Sequence, residues 1–393
     1  MKGIILKRRS KGKIMKRAMR FATFFICTSL TLLLITPLAS ALTRRTHLMN
    51  FIESTKTPLG GFQATALPSN TSANNPDVVS TSYAINMSLY FGKEIKDFID
   101  TATWIVDNLK TLDSGFRIMT TDLNGTMKGM YHASMALNTT EKLSSLGSEF
   151  QTWITDRRNQ TNGGFSEQKG GYPNALTTYY AIEALYYLGN VSILSTYEES
   201  LRYYFRNCSN ADGGFAEIAN ESSSLKGTWL AVASLSRLAS LQGFSLESEV
   251  DKTKTLEYVA QFYFSDPADE FNYGGYGTSG RATVWATYYA QKTYSLLGET
   301  NPNAAQIQNY LLSCQNSVDG GFAEKNVDGT YGTSAVITSF FAFDVLMTFD
   351  SKLGMLDVEV WFMPFDWVLL LIVIGIVIVA IYAVYRLYRK YHD

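Results

Sequence analysis

The sequence predicts an all-α protein: six helical-hairpin repeats followed by one C-terminal transmembrane helix. Three observations carry that prediction. A Gly-Gly-aromatic signature recurs six times at spacings of 54, 49, 50, 61 and 46 residues, and a period near fifty marks a repeat architecture. Apolar stripes at helical spacing precede the signature, and a second, more uniformly apolar segment follows it. Finally, the uncharged run Trp367–Tyr385 lies close to the C-terminus.

The first 41 residues read as a secretory leader. Nine Lys/Arg and no acid crowd this segment. The apolar run Phe21–Ile35 and the small-residue site Ala39-Ser40-Ala41 complete the pattern of a signal peptide, 1–41. Residues 42–365 carry 22 basic against 33 acidic side chains. An acidic body excludes nucleic acid as a partner, which needs basic surface to displace counterions. With 46% hydrophobic residues and three cysteines in 393 residues, the chain is too apolar for disorder and too poor in cysteine for a disulfide scaffold.

The body, 42–350, holds the repeats. Signatures fall at Gly60-Gly61-Phe62, Ser114-Gly115-Phe116, Gly163-Gly164-Phe165, Gly213-Gly214-Phe215, Gly274-Gly275-Tyr276 and Gly320-Gly321-Phe322. Before them, Ile95, Phe98, Ile99, Ala102, Ile105, Val106 and Leu109 form one apolar stripe, and Leu143, Leu146, Phe150, Trp153 and Ile154 another. The glycine pair is expected to end each of these outer helices, since glycine adopts the left-handed cap without a Cβ penalty. The inner helices that follow align on Ala84, Ala133, Ala181, Ala231, Ala290 and Ala342, a small-residue column that reads as close helix packing. The two positions before each alanine are aromatic in nine of twelve cases. Adjacent helical residues point about 100° apart. One of the two columns is therefore expected to face a central space and the other to pack between helices. The candidates for the cavity are Tyr131, Tyr179, Trp229, Tyr288 and Phe340, with Tyr180, Tyr289 and Phe341 as the alternative column.

After a juxtamembrane linker, 351–366, residues 367–385 are long enough to span a hydrocarbon core at 1.5 Å per residue. Trp361 and Trp367 on one side and Tyr382, Tyr385 and Tyr388 on the other form an aromatic belt. Arg386, Arg389 and Lys390 place the tail, 386–393, in the cytoplasm by the positive-inside rule. The body is thus expected outside the cytoplasm of a single-pass membrane protein. Eight Asn-x-Ser/Thr sequons agree with that side: Asn70, Asn86, Asn124, Asn138, Asn159, Asn190, Asn207 and Asn220.

Segments such as Cys314-Gln315-Asn316-Ser317-Val318-Asp319-Gly320-Gly321-Phe322 and Leu176-Thr177-Thr178-Tyr179-Tyr180-Ala181 resemble the prenyltransferase and squalene-cyclase repeat. The resemblance covers about residues 46–348 and implies an (α/α)6 toroid with an aromatic-lined cavity. It also implies chemistry that this sequence lacks. Prenyltransferases of the family hold zinc with Asp, Cys and His from two inner-helix columns. Here those columns read Ser80, Gly129, Thr177, Gly227, Ala286, Thr338 and Val78, Met127, Ala175, Leu225, Val284, Val336. The cyclases' Asp-x-Asp-Asp acid has no counterpart either. The acidic loop 266–270 reads as solvated, and His132 as a hydrogen-bonded core residue. Cys208 and Cys314 read as buried thiols, being at matching places two repeats apart. Glu183 and Asp344 share a column across the ring, where they face the cavity or simply follow the repeat. The expectation is no cofactor and no metal. Three functions compete: a binding module for an apolar, isoprenoid-like small molecule; a protein-interaction or surface-structural module; and a prenyltransferase-like or cyclase-like enzyme with relocated catalytic groups.

Overall fold

Polar N-caps start the inner helices. Asp77, Thr126, Asn174, Ser224 and Thr283 each accept from the backbone N–H three residues on, at 2.8–3.0 Å, satisfying one of the four donors a helix start leaves open. In the sixth helix Ala335 holds the position, with no side-chain cap. The computed structural model describes residues 42–66, 75–143, 146–326 and 329–360, with 375, 382, 385, 386 and 389. The predicted leader, Asn70 and nearly all of 361–393 lie outside the described residues. Among the described residues no helix is long and apolar enough to cross a membrane.

Among the described residues between Arg44 and Val358, twelve α-helices alternate outer and inner. The outer ones are α1 (Arg44–Ser54), α3 (Ile99–Leu109), α5 (Glu149–Thr155), α7 (Val191–Cys208), α9 (Lys252–Ala260) and α11 (Ala304–Ser313). The inner ones are α2 (Val78–Tyr90), α4 (Met127–Thr139), α6 (Ala175–Tyr187), α8 (Leu225–Gln242), α10 (Val284–Leu296) and α12 (Val336–Phe349). Each inner helix packs on the next, and α12 packs back on α2, closing a toroid. The alanine column is fully buried at all six positions, so backbones approach closely there. In the stripe that begins at Leu143, that residue lies in a 3-10 turn and Leu146 in irregular chain, and the α-helix runs Glu149–Thr155. In the chain's other unit, the strands Leu42–Thr43 and Glu359–Val360 pair antiparallel.

Each repeat is stitched to the next by the same contacts. The second glycine of every signature lies against an aromatic ring of the next outer helix. An added Cβ on Gly61, Gly115, Gly164, Gly214, Gly275 or Gly321 would come within 2.9 Å of Trp104, Trp153, Tyr204, Tyr258, Tyr310 or Phe51 respectively. The last of these pairs joins the sixth repeat to α1. At five of the six junctions the residue two places past the signature aromatic takes the first N–H of the preceding repeat's inner helix. Val78 donates to Ile118 O, Met127 to Glu167 Oε1, Ala175 to Glu217 O and Val284 to Glu324 Oε2. Val336 donates to Ala64 O at 2.9 Å and so closes the ring. Within five of the six repeats a Thr or Ser hydroxyl accepts the signature aromatic's N–H: Thr81, Thr178, Thr228, Thr287 and Ser339, at 2.9–3.0 Å; the second has Met130 at that place.

The glycine pair does not cap the outer helix. α1, α3 and α7 end five residues or more before the first glycine or serine of their signatures. The intervening residues make a tight turn in which that first residue is left-handed, at φ +106° for Gly60, +85° for Gly213 and +82° for Gly320. The positive φ expected from the sequence is present. Its place is the turn, because the ladder from Lys56 to Phe62 and its equivalents must fold back over the helix end.

Candidate functional site

The inner helices enclose a cavity of about 620 Å³. Tyr131, Tyr179, Trp229, Tyr288 and Phe340 all line it. So do Tyr83, Tyr180, Tyr289 and Phe341 from the neighbouring column, and this corrects the expectation that only one column faces the centre. The reason is pairing across helix junctions. The first ring of one helix stacks on the second ring of the next: Tyr131 on Tyr180 (5.3 Å between centroids), Trp229 on Tyr289 (5.0 Å), Tyr288 on Phe341 (4.2 Å) and Phe340 on Tyr83 (4.1 Å). Interplanar angles of 14–24° make these true stacks, a preferred aromatic geometry. A planar pair that bridges two helices presents both rings to the cavity.

Two junctions depart from the pattern. Between α2 and α4 the matching residues are Ser82 and His132, whose Oγ and Nδ1 lie 2.8 Å apart. Ser82 Oγ also donates to Val79 O at 2.9 Å, so the imidazole supplies the proton of the shared bond. Burial holds the His132 pKa well below its ordinary value, and Lys128 adds to the effect, so the ring is neutral. Between α6 and α8 the second residue is Leu230, and Tyr179 meets Trp229 tilted at 56° (5.1 Å). Tyr179 therefore has no stacked partner across its junction. Burial pushes the hydroxyls of Tyr83, Tyr131, Tyr179 and Tyr288 well above the usual phenol range. The collar is uncharged at neutral pH.

Four residues beyond the collar's first ring, about 6 Å along each helix, the wall turns polar. Glu183 accepts from Arg237 through both oxygens at 2.8 and 2.9 Å. Asp344 pairs with Lys292 at 3.1 Å, and Asn86 Nδ2 donates to Ser82 O at 2.8 Å. Both carboxylates face the cavity as the shared column allowed, but each is bound to a cation. On the other side of the collar Lys128 and Lys226 line the mouth, with Lys226 held by Glu217 at 2.6 Å. Burial lowers the Lys128 pKa.

The family's zinc does not fit these residues. Side-chain donors cannot be placed at two of the six sites in the first column. A Cβ on Gly129 would sit 2.1 Å from Phe116 O, and one on Gly227 2.5 Å from Phe215 O. Thr177 Oγ1 is committed to Phe165 O at 2.6 Å, and the second column is entirely apolar. Among the described residues no group of three or more His, Cys, Asp or Glu is placed to hold a metal. Cys208 and Cys314 are free, buried thiols, pushed up by burial to about 11 and about 12. In the acidic loop, Asp266 and Asp269 accept hydrogen bonds from Ala268 and Asn272 of the same turn. Of the sequons, Asn124, Asn138, Asn207 and Asn220 are exposed, Asn159 and Asn190 are half-buried, and Asn86 lines the cavity.

A scan against protein-family models matches the prenyltransferase alpha-alpha toroid domain over residues 6–189, 172–338 and 274–360. The chain belongs to that family. No curated protein sequence matches it. Among solved structures, this toroid is similar to Candida albicans protein geranylgeranyltransferase-I complexed with GGPP, at a TM-score of 0.58 and 16% identity, covering 75% of this chain and 92% of that one. It is also similar to a type II terpene cyclase from Scytonema, at 0.57 and 12%, covering 79% and 98%. A D-mannose isomerase matches at 0.54 and 13%, covering 78% and 96%. At such identities the likeness is one of fold, and one fold hosts many functions.

The sequence reading found the collar and missed three columns that hold it. The polar N-cap residues and the Thr/Ser three places before the alanine each recur in five of the six repeats, and the outer-helix aromatics over the glycines in all six. Each was legible as a column once the repeats were aligned.

Proposed function

We propose that this toroid is a non-catalytic binding module for an apolar, isoprenoid-like ligand, carried outside the cytoplasm on a single C-terminal membrane span. The observation that supports it is the collar. Eleven aromatic rings, the nine of the two columns together with Tyr187 and Trp285, line one cavity of about 620 Å³, within the roughly 300–1,000 Å³ of small-molecule sites. Their hydroxyls are neutral, so the surface they offer is apolar with π faces. Among the described residues the cavity's two carboxylates are ion-paired, and the zinc columns hold no ligand set. Two proteins of similar fold bind isoprenoids, the Candida enzyme with GGPP and the Scytonema cyclase with geranylgeranyl dihydroxybenzoate. The anchor rests on the leader pattern, the uncharged run 367–385 and the basic tail.

Mass spectrometry of organic extracts from the purified full chain tests the reading. It predicts an isoprenoid-sized apolar compound at near one per chain, and extracts no different from those of an unrelated membrane protein would count against it. For the topology, protease treatment of intact cells should remove 42–365 and spare the last thirty residues. A protected body would overturn the extracytoplasmic placement.

A further inference from the structure

The polar wall beyond the collar has no use in a purely apolar site. Asn86, Glu183, Lys292 and Asp344 occupy one column of the inner helices, four residues past the first collar ring, and all line the same cavity as the rings. A hydrocarbon seated against them would strip their water without replacing it, and unpaired buried polar groups are costly. Their charges cancel: Glu183 is bound through both oxygens to Arg237, and Asp344 to Lys292. An ion placed there would find no net charge to balance its own. Yet the set is not saturated. The Lys292–Asp344 pair is joined by a single ammonium, so lone pairs on the carboxylate and N–H bonds on the ammonium remain. Asn86 has committed Nδ2 to Ser82 O, and its carboxamide oxygen remains an acceptor. Groups that both donate and accept, and carry no charge, match such a wall. Hydroxyls do so.

We infer that the ligand is an amphiphile whose tail crosses the aromatic collar and whose uncharged, hydroxyl-rich head, of the glycosyl or polyol class, is held by Asn86, Lys292 and Asp344. This rests on the binding-module reading and adds the ligand's polarity and orientation to it. The opposite mouth carries Lys128 and Lys226, so an anionic head seated there is the competing arrangement.

Three probes with one tail separate these cases: geranylgeranyl β-glucoside, geranylgeraniol and geranylgeranyl monophosphate. Each is titrated into the full chain in phosphatidylcholine nanodiscs, with tryptophan fluorescence as the signal. The glucoside should bind at least tenfold tighter than either other probe. Asp344→Asn and Asn86→Leu should each reduce its advantage over the alcohol to less than threefold, and melts on both variants report whether they fold. A phosphate that binds tightest, equal affinity for glucoside and alcohol, or an unchanged ratio in both folded variants overturns the inference while leaving the apolar site standing. Absence of saturable binding by all three overturns both.

Discussion

Ser82 Oγ and His132 Nδ1 lie 2.8 Å apart, at the junction where four of the other five inner-helix contacts hold stacked rings. This junction of the ring is thus a polar link, made by a neutral imidazole that burial prevents from charging. That link has a consequence for stability. The unfolded chain takes up the His132 proton near pH 6.5, whereas the folded chain does so only well below that. Folded stability is therefore unaffected by this residue above pH 6.5 and is lost as pH falls through that value. From urea melts of the full chain in detergent, the wild type should lose roughly 1.4 kcal/mol more than His132→Asn between pH 7.5 and 5.5. Equal losses would show that His132 takes up its proton in the fold as readily as in the unfolded chain.

Ser114 takes the place of the first glycine in the second signature and sits at φ +66°. The left-handed region costs a residue with a Cβ about 1–2 kcal/mol. Ser114→Gly should stabilise the chain by about 1 kcal/mol in thermal melts, the remainder being offset by glycine's greater unfolded freedom. A destabilised variant would mean that the serine hydroxyl contributes a bond of its own.

Ala335 is the inner-helix start without a side-chain cap, with the same extended backbone, φ −132° and ψ 146°, as its capped equivalents. Ala335→Ser should add the missing bond to the N–H of Thr338 and raise stability by about 0.5–1 kcal/mol. Denaturant melts check it; no change would mean that this helix start is satisfied by another route.

These two positions show how much of the fold the sequence carried. The repeat count, the helix alternation and the alanine column were legible because each recurs at a fixed distance from Gly-Gly-aromatic. The place of the glycine was misjudged because a left-handed residue serves a helix cap and a tight turn equally well, and only the path of the chain after Leu109 or Cys208 separates them. The two-column collar was illegible for a different reason. Helical phase gives the direction of a Cβ, but a tyrosine or phenylalanine ring lies several ångströms beyond it, and stacking across helices decides where the ring ends. The leader and the span rest on sequence pattern alone.

Stacking also separates the collar residues by role. Tyr288 stacks on Phe341 at 4.2 Å and is 7% exposed, so Tyr288→Ala should cost about 3–5 kcal/mol of stability. Tyr179 is half-buried and opposite Leu230, with tilted neighbours only. Tyr179→Ala should cost about half as much and weaken an apolar ligand by about 1–3 kcal/mol. Thermal melts and ligand titrations on both variants decide it. A larger stability loss at Tyr179 would place that ring in the packing and not at the ligand.

Photocrosslinking tests the central claim most directly. A diazirine-bearing geranylgeraniol is irradiated with the full chain in nanodiscs, and the labelled peptides are mapped. The account predicts about one label per chain, on α6, α8 or α10 beside Tyr179, Trp229 or Tyr288, displaced by excess geranylgeraniol. Label confined to residues 367–385 or to the outer helices, undiminished by competitor, would contradict it.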